Sequence, residues 1–592
     1  MKSYSFIARV FTTVWKINKI YVVYLVINAI LSGTLPLVSA YLLKNVIDIV
    51  TAANSGKLDT IILMIGLIVL IDLLVLIMNK IGSTFVPIVV MRISKKITDD
   101  IYEKASRIKY SLYESPEFYD KFEVICKEKD GFSNVLRYIL SIFSGVISLS
   151  MAIPVLLGYS WIIGALILVI NIPVCFIQVK IKRRNFDFFI RNNPTNRFLG
   201  ALGNILSNKA FAKEIRAYNI FSWIINKHTD THNKLLQENK SLLAEQSKLV
   251  FISSLIKTLF NGAIYIILSI SVLFGKLTIG VFSLCISYVQ KVDSSLSSIV
   301  SNSIELYNKS FYLNSLFEFL DETALLQYEE KNLLPEKKAF EIVFQNVSFQ
   351  YPNQERLALD NVSFRISACE KVALVGLNGA GKSTLVKLLL KYYEPSSGTI
   401  YVNGIDIQKY NNIEYYQLIG AMLQDYAIYP FSLKENIFMA NIDKNEAERK
   451  LTHFSNTWFN SLISKMPYGL DTVLLPFFDK KGIQLSEGES QKVALQRALL
   501  REKAQLFILD EPSSSLDAKA ECEIFEELLK RTQDKTCIFI SHRLSSCTIA
   551  DRVIFLEDGK VVENGKHTDL VSRNNKYSEL FYMQAQKYKE GL

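Results

Sequence analysis

Long apolar runs in the first half of the chain constrain its fold more than any other feature. Runs of about 20 apolar residues are long enough to cross a bilayer as helices. They fall near residues 20–47, 59–80, 135–157, 160–180, 248–274 and 277–300. Hydrophobic residues make up 50% of the 592 positions, which is typical of a chain with a large membrane part. We therefore predict an all-α membrane domain of about six helices over residues 1–320.

The distribution of basic residues predicts the orientation of this domain. The short connections 49–58, 158–160 and 274–278 are nearly uncharged, whereas the long stretches 81–134 and 181–247 are rich in Lys and Arg. Because cytoplasmic loops carry the excess of basic residues, the long stretches and both termini are expected inside the cell. Breaks in the helical pattern at 114–122 and 197–219 would then mark the cytoplasmic tips of long helices.

Charge and cysteine content exclude other classes of protein. The net charge is +10, but no basic tract is interleaved with aromatic residues that could stack on bases, so no nucleic-acid partner is expected. The seven cysteines are scattered and form no C-x-x-C pair, which argues against a disulfide framework or a cysteine metal site.

The sixth apolar run carries polar residues at helical spacing. Such a stripe is costly in a bilayer unless it faces water or protein. It predicts either the wall of a translocation cavity or a buried seam between helices, and the sequence leaves both open. The same alternatives hold for four charged residues within the predicted spans. The stripe comprises Ser283, Ser287, Gln290, Lys291, Ser294, Ser298, Ser301 and Glu305, and the four charges are Asp72, Lys257, Lys291 and Asp293.

After a polar linker at 321–340, residues 341–592 alternate short β-rich runs with helical ones, as in an α/β fold. The stretch "KVALVGLNGAGKSTLVKLLL" places a strand, a glycine-rich loop and a helix in the order of a P-loop. Its backbone N–H groups and helix start would bind phosphate. Lys382 would reach the β- and γ-phosphates, and Ser383 would hold Mg²⁺. The predicted nucleotide-binding residues of this loop are Gly376, Asn378, Gly379, Gly381, Lys382, Ser383 and Thr384.

Two further strands end in polar residues that suit phosphate chemistry. In "QLFILDEP" an apolar strand ends at Asp510, which is a predicted Mg²⁺ ligand. Glu511 follows it and is the predicted general base. In "CIFISHRL" a second strand is followed by His542, which we expect to contact the γ-phosphate. The C-terminal part is therefore predicted to be a P-loop ATPase domain that uses ATP and Mg²⁺.

Together these motifs resemble the ATP-binding-cassette (ABC) exporter half-transporters over nearly the whole chain. The resemblance implies that Tyr351 stacks on adenine and that Gln424 links Mg²⁺ and the attacking water to the membrane helices. It also implies a dimer-crossing loop at Ser514, Leu516 and Asp517, and coupling helices at the breaks near 114–122 and 207–216.

The sequence departs from the usual family pattern at two places. Cys369 stands where a glycine is usual before the P-loop strand, and "LSEGE" replaces L-S-G-G-Q. In the family this motif binds the γ-phosphate of ATP held by the other subunit, which implies roles for Ser486, Gly488 and Glu489. Glu487 would repel a triphosphate unless its side chain points away. We interpret it as a substitution that tunes a working site.

The resemblance implies a dimer, because one membrane domain and one ATPase domain make half a transporter. A homodimer is favoured over a heterodimer, since the P-loop side of the site is complete in the sequence. We expect a multi-pass protein of a bacterial plasma membrane that exports a peptide or an amphipathic small molecule by hydrolysing ATP. A lipid flippase, a metal-chelate importer and a sensor that transports nothing remain alternatives.

Overall fold

The computed structural model describes most of the chain. The described residues are 2–52, 57–115, 118, 121–123, 125–126, 131–321, 333, 335–336, 338–352, 354–452, 457–476, 480–512, 518–541 and 543–589. Most of the predicted linker at 321–340 lies outside them. The chain forms two compact units, one of residues 1–106 and 116–323, and the other of residues 107–115 and 324–592.

The first unit is helical throughout its described part. Asn18 separates the first two helices, and its side chain accepts a hydrogen bond from the backbone N–H of Tyr21. At the second predicted break, the side chain of Asn208 caps a short helix in the same way. The helices are α1 (Lys2–Ile17), α2 (Lys19–Thr51), α3 (Leu58–Ala105), α5 (Gly131–Tyr159), α6 (Trp161–Ser207), α7 (Lys209–Ala217), α8 (Phe221–Leu273) and α9 (Ile279–Asp321), while α4 (Tyr110–Tyr113) lies in the second unit.

Five of the described helices, namely α2, α3, α5, α6 and α8, are long and apolar enough to cross a membrane. Helix α9, the predicted sixth span, is 43 residues long, but its polar stripe lowers its hydropathy. The prediction of an all-α membrane domain is confirmed.

Glycines let α2, α5 and α9 approach one another closely. A Cβ atom on Gly33 of α2 would lie 2.9 Å from the carbonyl oxygen of Ser144, and one on Gly145 would lie 2.8 Å from Cγ1 of Ile299. The hydroxyl of Ser148 donates to the Gly33 carbonyl oxygen at 2.9 Å. These contacts fix a three-helix core in which any larger side chain would force the helices apart.

The second unit contains two sheets. An antiparallel sheet has the strand order β2-β1-β4-β5, and a mostly parallel sheet has the order β10-β9-β3-β8-β7-β6. The strands are β1 (Ile342–Phe349), β2 (Leu359–Ile366), β3 (Lys371–Gly376), β4 (Ser397–Val402), β5 (Ile405–Asp406), β6 (Ile419–Met422), β7 (Leu506–Asp510), β8 (Thr536–Ile540), β9 (Arg552–Glu557) and β10 (Lys560–Gly565).

The parallel strands β3, β7 and β8 are almost completely buried, which explains their continuous apolar sequence. Their carboxyl ends meet at one edge of the sheet, where polar residues follow them. The helices of this unit are α10 (Lys382–Leu389), α11 (Asn412–Gln417), α12 (Leu433–Phe438), α13 (Lys444–Thr452), α14 (Thr457–Ser464), α15 (Glu487–Leu499), α16 (Ala518–Arg531), α17 (His567–Ser572) and α18 (Lys576–Lys589). The α/β prediction for this part is confirmed.

Residues 107–115 belong to this second unit although they follow α3 in sequence. The Tyr110 ring stacks on Tyr392 with 4.7 Å between centroids. Lys387 forms an ion pair with Glu114 at 3.3 Å, and the hydroxyl of Tyr393 donates to the same carboxylate. Helix α3 ends at Ala105, earlier than the predicted break at 114–122, several residues of which lie outside the described part.

Candidate functional site

A cavity of about 700 Å³ opens at the carboxyl ends of the parallel strands. It brings together ten of the predicted site residues, from four separate parts of the sequence. These are Tyr351, Asn378, Gly379, Gly381, Lys382, Ser383, Thr384, Gln424, Asp510 and Glu511.

The loop between β3 and α10 adopts a conformation that requires glycine. Gly376, Gly379 and Gly381 have φ values of 155°, 79° and 101°. A Cβ atom on Gly376 would lie 2.2 Å from the carbonyl oxygen of Leu556, so no other residue fits without a shift of the backbone. The loop therefore ends at the start of α10 with its backbone close to the cavity, where the N–H groups of a helix start favour an anion.

Lys382 is held at the base of this cavity. Its ammonium group donates to the carbonyl oxygens of Gly376 at 2.8 Å and Leu377 at 3.0 Å. Burial lowers the pKa of Lys382, while the carboxylates of Asp510 and Glu511 oppose that shift. A cation held in this position is suited to bind phosphate oxygens.

Asp510 ends β7 with 5% of its surface exposed. Burial and the neighbouring carboxylate of Glu511 raise the pKa of Asp510 to about 6, against the charge of Lys382. Ser383 donates a hydrogen bond that also favours the charged carboxylate. A carboxylate that is buried at this cost is typical of a group that meets a cation during function.

The oxygen atoms in this part of the cavity fit Mg²⁺. Ser383, Gln424 and Asp510 line the same cavity and supply a hydroxyl, an amide carbonyl and a carboxylate, which are the hard ligands that Mg²⁺ prefers.

Glu511 has a strained backbone. Its φ of 52° lies in the left-handed region, which is unfavourable for a glutamate. The conformation is held by two hydrogen bonds, one from its N–H to the Ile540 carbonyl oxygen at 3.0 Å, and one from the side-chain amide of Gln491 to its own carbonyl oxygen at 2.8 Å. Strain of this kind is frequent at active sites.

Tyr351 presents a half-buried ring at the other end of the cavity. The ring packs edge-on against Phe349 and Tyr393, with centroids 4.9 and 5.3 Å away, and its hydroxyl lies 3.2 Å from that of Thr384. The ring is therefore fixed by its neighbours, as an aromatic surface for a nucleobase needs to be.

The "LSEGE" motif forms the start of α15. Ser486 is the N-cap: its hydroxyl accepts from the N–H of Glu489, and the Glu489 carboxylate accepts from the N–H of Ser486 at 2.9 Å. This capping box gives a local reason for glutamate at position 489. Glu487 is exposed, and its backbone carbonyl accepts from the hydroxyl of Tyr426 at 3.2 Å. Ser486, Gly488 and Glu489 do not line the 700 Å³ cavity.

Other predicted residues have structural explanations or lie outside the described part. Cys369 has a φ of 66°, which explains why glycine is usual there. Its N–H donates to the hydroxyl of Thr536 at 3.1 Å, which keeps the left-handed turn in place. Outside the described residues are His542 and the predicted dimer-crossing residues Ser514, Leu516 and Asp517.

The cavity also includes residues that the sequence did not single out. Arg356 and Asp558 form an ion pair at 2.7 Å on its rim, and Gly559 lies beside them. Asp558 and Gly559 form the turn between β9 and β10, and their sequence is that of an ordinary hairpin turn. Only the pairing of β9 with β3 brings that turn to the P-loop.

In the membrane unit, the predicted charged residues differ in their surroundings. Asp293 is buried, pairs with Lys257 at 3.2 Å and accepts hydrogen bonds from Asn171 at 2.9 Å and Asn261 at 3.3 Å. Lys291 donates to the carbonyl oxygen of Ser32 at 3.1 Å.

Asp72 lies on an exposed face of α3. On the α9 stripe, Ser298 bonds to Ser141 of α5 at 3.2 Å, so part of the stripe is a seam between helices.

Comparisons with known proteins relate the chain to a family and to a known fold. Residues 359–514 match the family model described as ABC transporter. The chain is similar to a subtilin transport ATP-binding protein of Bacillus subtilis, with 32% identity over 93% of this chain and 90% of that protein. It is also similar to a nisin transport ATP-binding protein of Lactococcus lactis, with 27% identity over 96% and 94%. Among solved structures, a bacterial Atm1-family ABC exporter with ATP bound has the same fold, with a TM-score of 0.79, 20% identity and coverage of 95% and 97%.

Proposed function

The chain belongs to the ABC transporters as an exporter-type half-transporter that couples ATP hydrolysis to transport and acts as a dimer, and we propose that it exports a peptide or an amphipathic small molecule. We further propose a bacterial plasma membrane as its location, with both termini and the ATPase domain in the cytoplasm. The names of the subtilin and nisin transport proteins support a peptide as cargo.

The observation that carries the proposal is the convergence of Lys382, Asp510 and Glu511 in one cavity beside the P-loop. In the proposed site, the P-loop N–H groups and Lys382 bind the phosphates and Tyr351 stacks on adenine. Ser383, Gln424 and Asp510 would hold Mg²⁺, which supplies charge neutralisation on the phosphates when bound. Glu511 would accept a proton from the attacking water, and its fixed backbone keeps the carboxylate aimed into the cavity.

A homodimer with two working sites is the proposed assembly. The P-loop, the carboxylates and the aromatic ring are all supplied by one chain, and the "LSEGE" helix start of a second copy would close each site. Ser486 and Gly488 would contact the γ-phosphate across the dimer, with His542 on the P-loop side. ATP binding would then favour the closed pair of ATPase domains, and hydrolysis would release it.

The Glu511→Gln variant tests the catalytic assignment. We expect it to bind ATP, remain as an ATP-bound dimer and lose steady-state hydrolysis, whereas Lys382→Ala should fail to bind ATP. The two variants are distinguished by measuring retained nucleotide and phosphate release on the purified full-length protein. Normal phosphate release from Glu511→Gln would contradict the assignment of the base.

Transport itself is tested in inside-out vesicles with labelled peptides. We expect ATP-dependent uptake by the wild-type protein and none by Glu511→Gln. Uptake of a labelled lipid but of no peptide would favour the flippase. Hydrolysis without movement of either class would favour a sensor.

A further inference from the structure

A second cavity, of about 440 Å³, lies within the membrane unit between α2, α5 and α9. Its lining is polar, although the helices around it are predominantly apolar. The residues that matter here are Asn28, Asn134, Arg137, Tyr138, Ser141 and Asn302. A cavity of this volume is within the range of ligand sites and has room for a short segment of a peptide.

The lining follows from helical spacing. On α5, Asn134, Arg137, Tyr138 and Ser141 recur at i, i+3, i+4 and i+7, which places them on one face. Asn302 belongs to the α9 face that packs against them and donates to the hydroxyl of Ser141 at 3.0 Å. Helix α5 therefore carries a polar stripe of its own, and α9 contributes Asn302 to the lining of the cavity.

The cavity lies between two regions of close helix packing. Just beyond it, Gly33 packs against the backbone of Ser144, and Gly145 packs against Ile299. At the other end of the cavity α5 and α9 also pack closely, since a Cβ atom on Gly131 would lie 3.2 Å from Cδ of Lys309 and the ring centroids of Phe132 and Phe317 are 5.8 Å apart. The cavity is therefore a space between helices that pack closely on both sides of it along their length.

Arg137 is the only charged residue that lines this cavity among the described residues. The structure gives its guanidinium no ion pair and no hydrogen bond to a described residue, and the same is true of the side-chain polar atoms of Asn28, Asn134 and Tyr138. Two other basic residues of this unit are paired, Lys257 with Asp293 and Lys182 with Glu305 at 3.1 Å. A group of unused donors around a single cation is suited to an anion.

We propose that this cavity binds a carboxylate of the exported peptide, either its C-terminus or an acidic side chain. The planar guanidinium of Arg137 presents two parallel donors that match the two oxygens of a carboxylate. The amides of Asn28, Asn134 and Asn302 can both donate and accept, so they match the adjoining peptide bonds, which a lipid phosphate lacks. The inference rests on the proposed export of a peptide and adds which part of the cargo is recognised.

A basic residue near the cytoplasmic face could instead contact lipid headgroups, and the chain offers a matched control for that role. Arg137 lies 22 residues from the end of α5 at Tyr159, and Arg183 lies 22 residues from the start of α6 at Trp161. Both are therefore about 33 Å from the predicted outer ends of their helices. Arg183 is exposed and does not line the cavity, so a lipid contact would affect both residues and a carboxylate site only Arg137.

The test uses purified full-length protein in lipid nanodiscs and cationic amphipathic peptides, each made as the C-terminal acid and as the C-terminal amide. The readout is the peptide concentration that gives half-maximal stimulation of ATP hydrolysis. In the wild type we expect the acid to act at about tenfold lower concentration than the amide, as for a charged hydrogen-bonded contact. Arg137→Gln should raise the value for the acid to that for the amide, Arg137→Lys should have an intermediate effect, and Arg183→Gln should change neither.

Three outcomes would overturn the inference. Equal stimulation of the wild type by the acid and the amide contradicts carboxylate recognition while leaving peptide export intact. Equal shifts in Arg137→Gln and Arg183→Gln, dependent on anionic lipid, would assign Arg137 to headgroups. A wild type that hydrolyses ATP but responds to no peptide contradicts the proposed export function, and the carboxylate site falls with it.

Discussion

The side-chain amide of Gln491 donates a 2.8 Å hydrogen bond to the backbone carbonyl oxygen of Glu511. Gln491 lies on α15, the helix that begins at the "LSEGE" motif, and is almost completely buried. The bond therefore joins the proposed γ-phosphate-binding helix start to the proposed base within a single chain. It also supports the left-handed backbone of Glu511.

Replacement of Gln491 by Met should lower kcat for ATP hydrolysis about tenfold, since a misplaced catalytic group loses rate more than binding. The KM for ATP should change little, because Gln491 does not line the nucleotide cavity. Steady-state phosphate release measures both constants, with Lys492→Met on the next residue as the control. An unchanged kcat would show that the bond does not position Glu511.

The Glu487→Gly variant should hydrolyse ATP as fast as the wild type or faster. The Glu487 side chain is exposed at the first residue of α15, where its charge would repel an incoming triphosphate. Glu487→Gln removes the charge without giving the backbone the freedom of a glycine. It should lower the KM for ATP at low ionic strength, and the difference in KM from the wild type should shrink as salt is added. A large loss of activity in either variant would mean that Glu487 has a positive role.

Loss of the Glu489 carboxylate should loosen the start of α15. Glu489→Ala removes half of a capping box and should cost about 1 kcal/mol of local stability, whereas Glu489→Gln should keep most of it. Hydrogen–deuterium exchange of residues 486–499 measures this. Glu435→Ala, in the matching capping box with Ser432, is the control that should loosen only α12.

The stabilisation of the start of α15 by the Glu489 carboxylate should also depend on pH. Hydrogen bonds from the backbone and side chain of Ser486 lower the pKa of Glu489. A lowered folded-state pKa means that the stabilisation is complete above the ordinary glutamate pKa and is lost as the pH falls through the lowered value. The exchange difference between wild type and Glu489→Ala should therefore shrink at acid pH. A difference that grows at acid pH would contradict the capping role.

We expect the contacts of Glu114 to affect how substrate stimulates ATP hydrolysis. This carboxylate binds Lys387 and Tyr393, and the Lys387 ammonium lies 5.3 Å from the centre of the Tyr351 ring. Glu114→Ala should reduce substrate-stimulated ATP hydrolysis several-fold more than basal hydrolysis. Glu394→Ala, which removes a 4.0 Å contact of an exposed glutamate with Lys109, should have little effect. Equal losses in stimulated and basal rates would favour a purely structural role.

The ion pair between Lys257 and Asp293 should stabilise the membrane unit. Because breaking a buried pair leaves an uncompensated charge, Asp293→Ala should cost about 3 kcal/mol and lower the yield of folded protein. The double change Lys257→Met, Asp293→Leu should recover most of that loss. Thermal unfolding in nanodiscs compares them, with Lys291→Ala as the control. If the double variant is no more stable than Asp293→Ala, the two residues act separately.

Local motifs could be predicted because their geometry depends on a few neighbouring residues. The P-loop follows from glycines at 376, 379 and 381, whose backbone conformations other residues rarely adopt. The long apolar helices follow from the length and hydropathy of their own segments. The polar stripe on α5 was predictable in the same way as the stripe on α9, because Asn134, Arg137, Tyr138 and Ser141 recur at helical spacing.

The sequence by itself determined the class of protein, because its main features arise from short-range patterns. These features are the P-loop, the apolar strand followed by Asp510 and Glu511, and the long apolar helices. Only the tertiary structure decided which residues meet across the chain. Gln491 reaches Glu511 because α15 packs beside β6, which pairs with β7. Arg356 meets Asp558 across 202 positions because the start of β2 contacts the β9–β10 turn, where the Asp360 N–H donates to the Gly559 carbonyl oxygen. The cavity around Arg137 exists because three helices pack around it, and such packing depends on contacts between segments that no local pattern encodes.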